Sequence, residues 1–255
     1  MWDGTTYNNS EKLEKLQLEA ARIVTGLPCF ASRDSLYFET GREKLSNRRS
    51  ARKLSLFYKM NNNLVPSILT DIMPAANYEN NPYNLRNTND LQVPKRRLNY
   101  SAKSFIPSTT RLWNALDLNV RNSENLKSFK NKIRQECNTA PKYFNEGNRY
   151  MNVIHTKLRH SCSSLNSDLF KINLVQSPSC SCSSPVENTY HYFFECSKYY
   201  DIRMNLFIEL YRLHPDITLD ILLNGSSNIE EDENRQLFLI VQNYIKQSGR
   251  FTTIT

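Results

Sequence analysis

Residues 180–196 read CSCSSPVENTYHYFFEC: Cys180, one residue, Cys182, eight residues, His191, four residues, Cys196. Three thiols and an imidazole in so short a span form a Cys3His set, a usual ligand group for structural, tetrahedral zinc. Soft thiolates and a neutral imidazole suit Zn²⁺, and four protein ligands leave no open position for a catalytic water. The one-residue gap between Cys180 and Cys182 demands a tight turn, which the flanking serines and Pro185 permit. The five-residue step from His191 to Cys196 is the second constraint. On a straight helix it turns by about 500°, leaving the two side chains about 140° apart. Both reach one metal only if the helix ends, tightens or bends between them. Two other readings of the cluster stand beside this one. A Cys180–Cys182 disulfide would close a very small, strained ring. Three separately buried cysteines with a surface histidine would need no metal at all.

Working outward, the chain has 255 residues, enough for one large domain or two small ones. It carries 33 Lys+Arg against 25 Asp+Glu, a net charge of +8. No apolar h-region follows Met1, and the longest apolar run, Leu237 to Val241, is far short of a membrane span. With six cysteines and no secretory signal, the expectation is an intracellular protein, nuclear or cytoplasmic, whose thiols are partly committed to metal. The charge is unevenly placed. Residues 42–149 hold 20 Lys/Arg and 8 Asp/Glu, a net +12, and the remainder holds 13 and 17, a net −4. Such a basic middle suits a polyanion, although basic helices are often simply solvated faces.

Hydrophobic periodicity predicts a helix over Ser10–Thr25 with Leu13, Leu16, Ala20 and Ile23/Val24 as its inward stripe. Further helices are expected over 32–40, 44–60 and between Pro66 and Pro74. From 75 to 103 the pattern breaks into short strands or extended loops, such as Tyr83–Leu85 and Leu98–Tyr100. Helices resume from Pro107 to Leu116, with Trp113 as a core anchor, and after Ser123-Glu124. Asn138 to Gly147, with Pro141, reads as a linker. Beyond it come helices over 150–160, 164–174 and 198–213, and a last one opened by a Ser227-x-x-Glu230 capping box. The fold class is α+β, predominantly helical.

Several ordered blocks carry a resemblance. They are EKLEKLQLEAARIVTG (11–26), SLYFETG (35–41), RRSARKLSLFYKMNNNLVPSIL (48–69), YNLRN (83–87), SFIPSTTRLWNAL (104–116), NLKSFKNKIR (125–134) and the cysteine cluster. In this order they resemble the C-terminal, post-palm region of reverse transcriptases of non-LTR (LINE-type) retrotransposons. The resemblance implies a thumb-like helical part over 1–74, a basic connector over 75–137, the linker 138–147 and a helical zinc-knuckle lobe over 148–255. It places Cys180, Cys182, His191 and Cys196 on the family's Cys-Cys-His-Cys motif and Glu187 where a Glu is common. Ser183 stands where the family usually has Gly, which removes turn freedom.

The family's polymerase palm uses adjacent aspartates holding two metals, and this chain has no Asp-Asp pair. The resemblance therefore implies a segment that holds nucleic acid, RNA and/or DNA, alongside the remainder of a retroelement reverse transcriptase, rather than an enzyme. The expected cofactor is one structural Zn²⁺. The expected phosphate contacts are Arg48, Arg49, Arg52, Lys53, Lys95, Arg96, Arg97, Lys127, Lys130 and Arg134. The alternative is a protein-interaction scaffold or an inactive, truncated retroelement fragment.

Overall fold

The computed structural model describes residues 7–79, 89–134 and 140–251. In chain order its helices begin with α1 (Tyr7–Thr25), α2 (Arg33–Thr40), α3 (Leu45–Asn61) and α4 (Ser67–Thr70). Then come α5 (Asn99–Ala102), α6 (Phe105–Asn114), α7 (Leu118–Arg121) and α8 (Leu126–Ile133). The last five are α9 (Arg149–Arg159), α10 (Asn166–Lys171), α11 (Tyr200–Tyr211), α12 (Leu219–Asn224) and α13 (Glu231–Ser248). The chain divides into two compact units, Met1–Gln17 with Arg42–Cys137, and Leu18–Gly41 with Asn138–Thr255. The segment read as one helical part, 1–74, is thus shared between them.

In the first unit α3 is the central helix. Its Leu54, Phe57 and Tyr58 meet Trp113 of α6 and Phe129 of α8. Tyr58 stacks on Phe129 with centroids 4.5 Å apart, and Trp113 lies 5.4 Å from Phe57. Aromatic packing of this kind adds to simple area burial, and the Tyr58 hydroxyl donates to the Ser123 carbonyl at 2.6 Å. A buried carboxylate starts α3: Glu14 Oε2 accepts from the Leu45 amide at 3.0 Å, in place of a capping side chain at Lys44.

The expected β component shrinks to one contact. Among the described residues the only β pairing is an isolated antiparallel bridge between Ala76 and Leu91. On the Leu91 side Asn114 substitutes for a neighbouring strand, accepting from the Leu91 amide at 3.1 Å and donating to its carbonyl at 2.8 Å. One side chain thereby satisfies the groups a ladder would have paired. Asn99–Ala102, which overlaps the second expected strand, is a single helical turn. The first, Tyr83–Leu85, lies outside the described residues. The described residues are therefore predominantly helical, as expected, with almost no strand.

In the second unit α13 is the central helix, burying Leu237, Phe238, Val241, Tyr244 and Ile245. The described part of the stretch expected as a linker, 140–147, contributes to this core. Lys142–Asn145 forms a 3₁₀ turn that buries Tyr143 and Phe144, and Phe144 stacks on Phe238 at 5.3 Å. Pro141 and Gly147, which suggested a linker, bracket that turn instead. Residues 18–41 join this unit through α2, whose Glu39 accepts from Arg159 Nη1 at 2.6 Å and pairs with His160 Nε2 at 2.8 Å. The Arg159 guanidinium lies over the Phe144 ring at 3.5 Å. Gly26 (φ 71°) passes so close to Val153 that a Cβ there would collide with its methyl groups.

The inward stripe of α1 differs from the expected one. Glu14, Leu18, Ala21 and Thr25 are buried, whereas Leu16, Ile23 and Val24 are exposed. Two interleaved stripes compete on this helix. The one holding the carboxylate needed at α3 and the small Ala21 is the one buried. The expected capping box at α13 is also not made, because Glu230 is the N-cap without a side-chain bond. Asn234, 2% exposed, reaches back instead, accepting from the Ser226 amide and donating to the Ser226 carbonyl, both at 2.9 Å.

Candidate metal centre

Cys180 and Cys182 sit on a tight turn in which the Cys180 amide donates to the Ser184 carbonyl at 2.9 Å and the Ser183 amide to the Cys180 carbonyl at 3.0 Å. The turn closes because Ser183 adopts a left-handed conformation, φ 75°. His191 opens a single π turn, His191–Glu195, in which the Cys196 amide donates to the His191 carbonyl at 2.8 Å. An i→i+5 turn is wider than an α turn. It brings a residue five positions on back toward the same side, and Cys196 then leaves the helix with φ −58°, ψ 121°. The spacing that an α-helix could not accommodate is resolved by this bulge. Tyr192 and Phe193, on the same turn, are fully buried and anchor it against α13, with Phe193 5.5 Å from Tyr244.

One donor atom from each of Cys180, Cys182, His191 and Cys196 lies within 4.8 Å of all the others. Cys180 Sγ is 3.8 Å from Cys196 Sγ, and Cys182 Sγ is 3.3 Å from His191 Nε2. A tetrahedral ion with thiolate bonds of about 2.3 Å has ligand–ligand edges of about 3.8 Å. The four donors therefore fit a tetrahedral cation, and the sulfurs are too far apart for a disulfide. His191 Nδ1 faces the Glu195 carboxylate at 3.4 Å, the outer contact that orients a ligating imidazole.

The electrostatics point the same way. The Ser184 backbone amide and then the neighbouring thiols and His191 outweigh burial and hold the Cys182 thiol down at about 6. Burial pushes Cys196 up to about 12, with Cys180 and Cys182 adding to the rise. A divalent ion would favour the thiolate form of its cysteine ligands, offsetting the cost that burial imposes at Cys196.

Behind the ligands Glu187 is 3% exposed and held by a fork from Arg250, Nε to Oε1 at 2.8 Å and Nη2 to Oε2 at 2.7 Å. Its Oε2 also accepts from the Asn166 amide at 2.8 Å, at the start of α10. Burial raises the Glu187 carboxyl, but the Arg250 fork and the Asn166 amide prevail, and it sits below the usual carboxylate range. Glu187 thus ties the cysteine turn to α10 and to the residues following α13. The resemblance marked Glu187, but neither Arg250 nor Glu195 carried any signal in the sequence.

The ten basic residues expected at phosphates fall in the first unit and are not equivalent. Arg48 Nη1 donates to Gln17 at 3.2 Å, Arg49 Nε to the Leu45 carbonyl at 3.1 Å and Lys53 to Ser108 at 3.4 Å, and all three are half-buried. These bonds tie α3 to α1, to its own first turn and to α6. Arg52, Lys95, Arg96, Arg97, Lys127, Lys130 and Arg134 are exposed. Lys127, Lys130 and Arg134 are spaced to share one side of α8 and the residue after it. Among the described residues no helix is long and apolar enough to cross a membrane. No protein-family description, no curated protein and no solved structure matches this chain.

Proposed function

We propose that this chain is a nucleic-acid-holding module whose second unit is stapled by a structural zinc ion, akin to the post-palm region of non-LTR retrotransposon reverse transcriptases. The observation that supports this most is the convergence of Cys180, Cys182, His191 and Cys196 within 4.8 Å on a turn and a π bulge. Three thiolates and an imidazole at tetrahedral spacing favour Zn²⁺ over harder ions, and a full set of protein ligands assigns the ion to folding rather than chemistry. RNA or DNA is held through exposed cations of the basic middle, Arg52, Lys95–Arg97, Lys127, Lys130 and Arg134. Arg48, Arg49 and Lys53 support those positions from within. The module works inside the cell as part of, or beside, a larger retroelement protein, and has no catalytic role of its own.

Metal analysis of reduced, freshly purified protein should return one zinc per chain, and cobalt substitution should give thiolate charge-transfer bands. RNA affinity should fall with salt with a log–log slope of about −0.7 per phosphate contact. Protein without bound metal would remove the zinc staple. A flat salt response, or no binding to either nucleic acid, would remove the phosphate-holding role.

A further inference from the structure

Helix α11 buries Arg203, Leu206 and Leu210 in the second unit. On its opposite side Tyr200, Met204, Ile208 and Tyr211 are 57, 44, 51 and 60% exposed. At 100° per residue these four fall within an arc of about 80°. They form one strip rather than scattered surface hydrophobics, and such a strip marks a contact surface. Tyr and Met are enriched where proteins meet proteins. No Lys or Arg lies within the arc, so nothing in it would hold a phosphate backbone, as a stacking platform for single strands requires.

The spacing is close to palindromic. A two-fold axis crossing the helix at the level of Leu206 would set Tyr200 against Tyr211 of a second, antiparallel copy, and Met204 against its Ile208. The flanking charges obey the same symmetry. Asp201 and Arg212 are both exposed on one side of the strip, about 16 Å apart along the axis. The two-fold places each Asp201 beside the Arg212 of the other copy. An isologous interface needs a surface complementary to itself, apolar to apolar and opposite charge to opposite charge.

We infer that α11 is a self-association surface on which two copies of this chain pair antiparallel about a two-fold axis. The inference stands whether or not the zinc and nucleic-acid reading holds. A contact built on one helix from each copy lies at or below the low end of the about 1,200–2,000 Å² typical of stable complexes, so the dimer dissociates on dilution.

Sedimentation of the full chain, purified with zinc, tests this across a wide range of concentration. Wild type should show a reversible monomer–dimer equilibrium. Met204→Glu and Ile208→Glu, both at exposed positions, should each weaken it by about tenfold or more with an unchanged circular-dichroism melt. Asp201→Arg should weaken the dimer, and combining it with Arg212→Asp should restore it. A wild type that stays monomeric at the highest concentration overturns the proposal, as does a dimer indifferent to Met204→Glu. A double charge variant no stronger than Asp201→Arg alone overturns the antiparallel register. Monomeric protein that loses single-stranded RNA on Met204→Glu would assign the strip to nucleic acid instead.

Discussion

Ser183 holds φ 75° at the position following Cys182, where an L side chain is strained. A left-handed residue costs about 1–2 kcal/mol, and glycine returns part of any gain through its freer unfolded chain. Ser183→Gly should therefore stabilise the cysteine turn by about 0.5–1 kcal/mol, read as a higher urea midpoint of the metal-loaded protein. The opposite sign is expected at Arg250. Its removal leaves the Glu187 carboxylate, 3% exposed, without its fork. Breaking such a pair from one side costs about 3 kcal/mol, so Arg250→Met should destabilise strongly, whereas Arg250→Met with Glu187→Leu should recover much of the loss. A double-mutant cycle in urea measures the difference. Ser183 was marked as a misfit only by the resemblance, which has glycine at that position. The fork was not legible, because Arg250 is sixty-three positions from Glu187 and no local pattern links them.

At the scale of the element, π turn and rotated helix teach different lessons. The His191–Cys196 spacing announced that a regular helix could not serve, and the structure answers with the i→i+5 turn. For α1 the apolar period allowed two stripes, and the choice between them rests on Glu14, whose carboxylate starts α3. Polar residues with long-range duties defeat hydrophobic counting. Asn234 is another. Asn234→Ala would strand the Ser226 amide and carbonyl at the start of α13, at a cost of about 2 kcal/mol, seen as earlier thermal unfolding. On α9, His155 is fully buried. Its Nε2 donates to the Leu222 carbonyl at 2.9 Å, and its Nδ1 is unpartnered. Burial, with the Arg159 charge adding to it, lowers its pKa to about 3. The unfolded chain takes up a proton near pH 6.5 while the folded chain resists it. The stability this contributes is complete above pH 6.5 and is lost as pH falls toward 3, by about 1.4 kcal/mol per pH unit. His155→Gln should flatten this part of the profile. The loss of metal on acidification, common to both proteins, cancels in the comparison.

For the whole molecule, the division into two units sets what metal removal should do. Trp113 belongs to the first unit and the four metal donors to the second, while Trp2 lies outside the described residues. A chelator should therefore remove the share of the near-ultraviolet tyrosine signal that comes from Tyr192 and Tyr244 of the second unit, leaving that of Tyr58 and, read in a Trp2→Phe background, the emission of Trp113 unchanged. Loss of both together would mean that α1, which contributes to each unit, couples them into one cooperative fold. What the sequence determined by itself is what depends on neighbours along the chain: the helical character, the donor quartet, the need for a break between His191 and Cys196, and Trp113 as a core anchor. What only the tertiary structure decided depends on partners far away in sequence. Tyr143 and Phe144, expected in a linker, became core because Phe144 found Phe238, the expected strand Leu98–Tyr100 gave way to a helical turn, and three of the ten cations are half-buried in bonds to other side chains and carbonyls. Local periodicity fixes which residues can be buried together; satisfying every buried polar group decides which of them are.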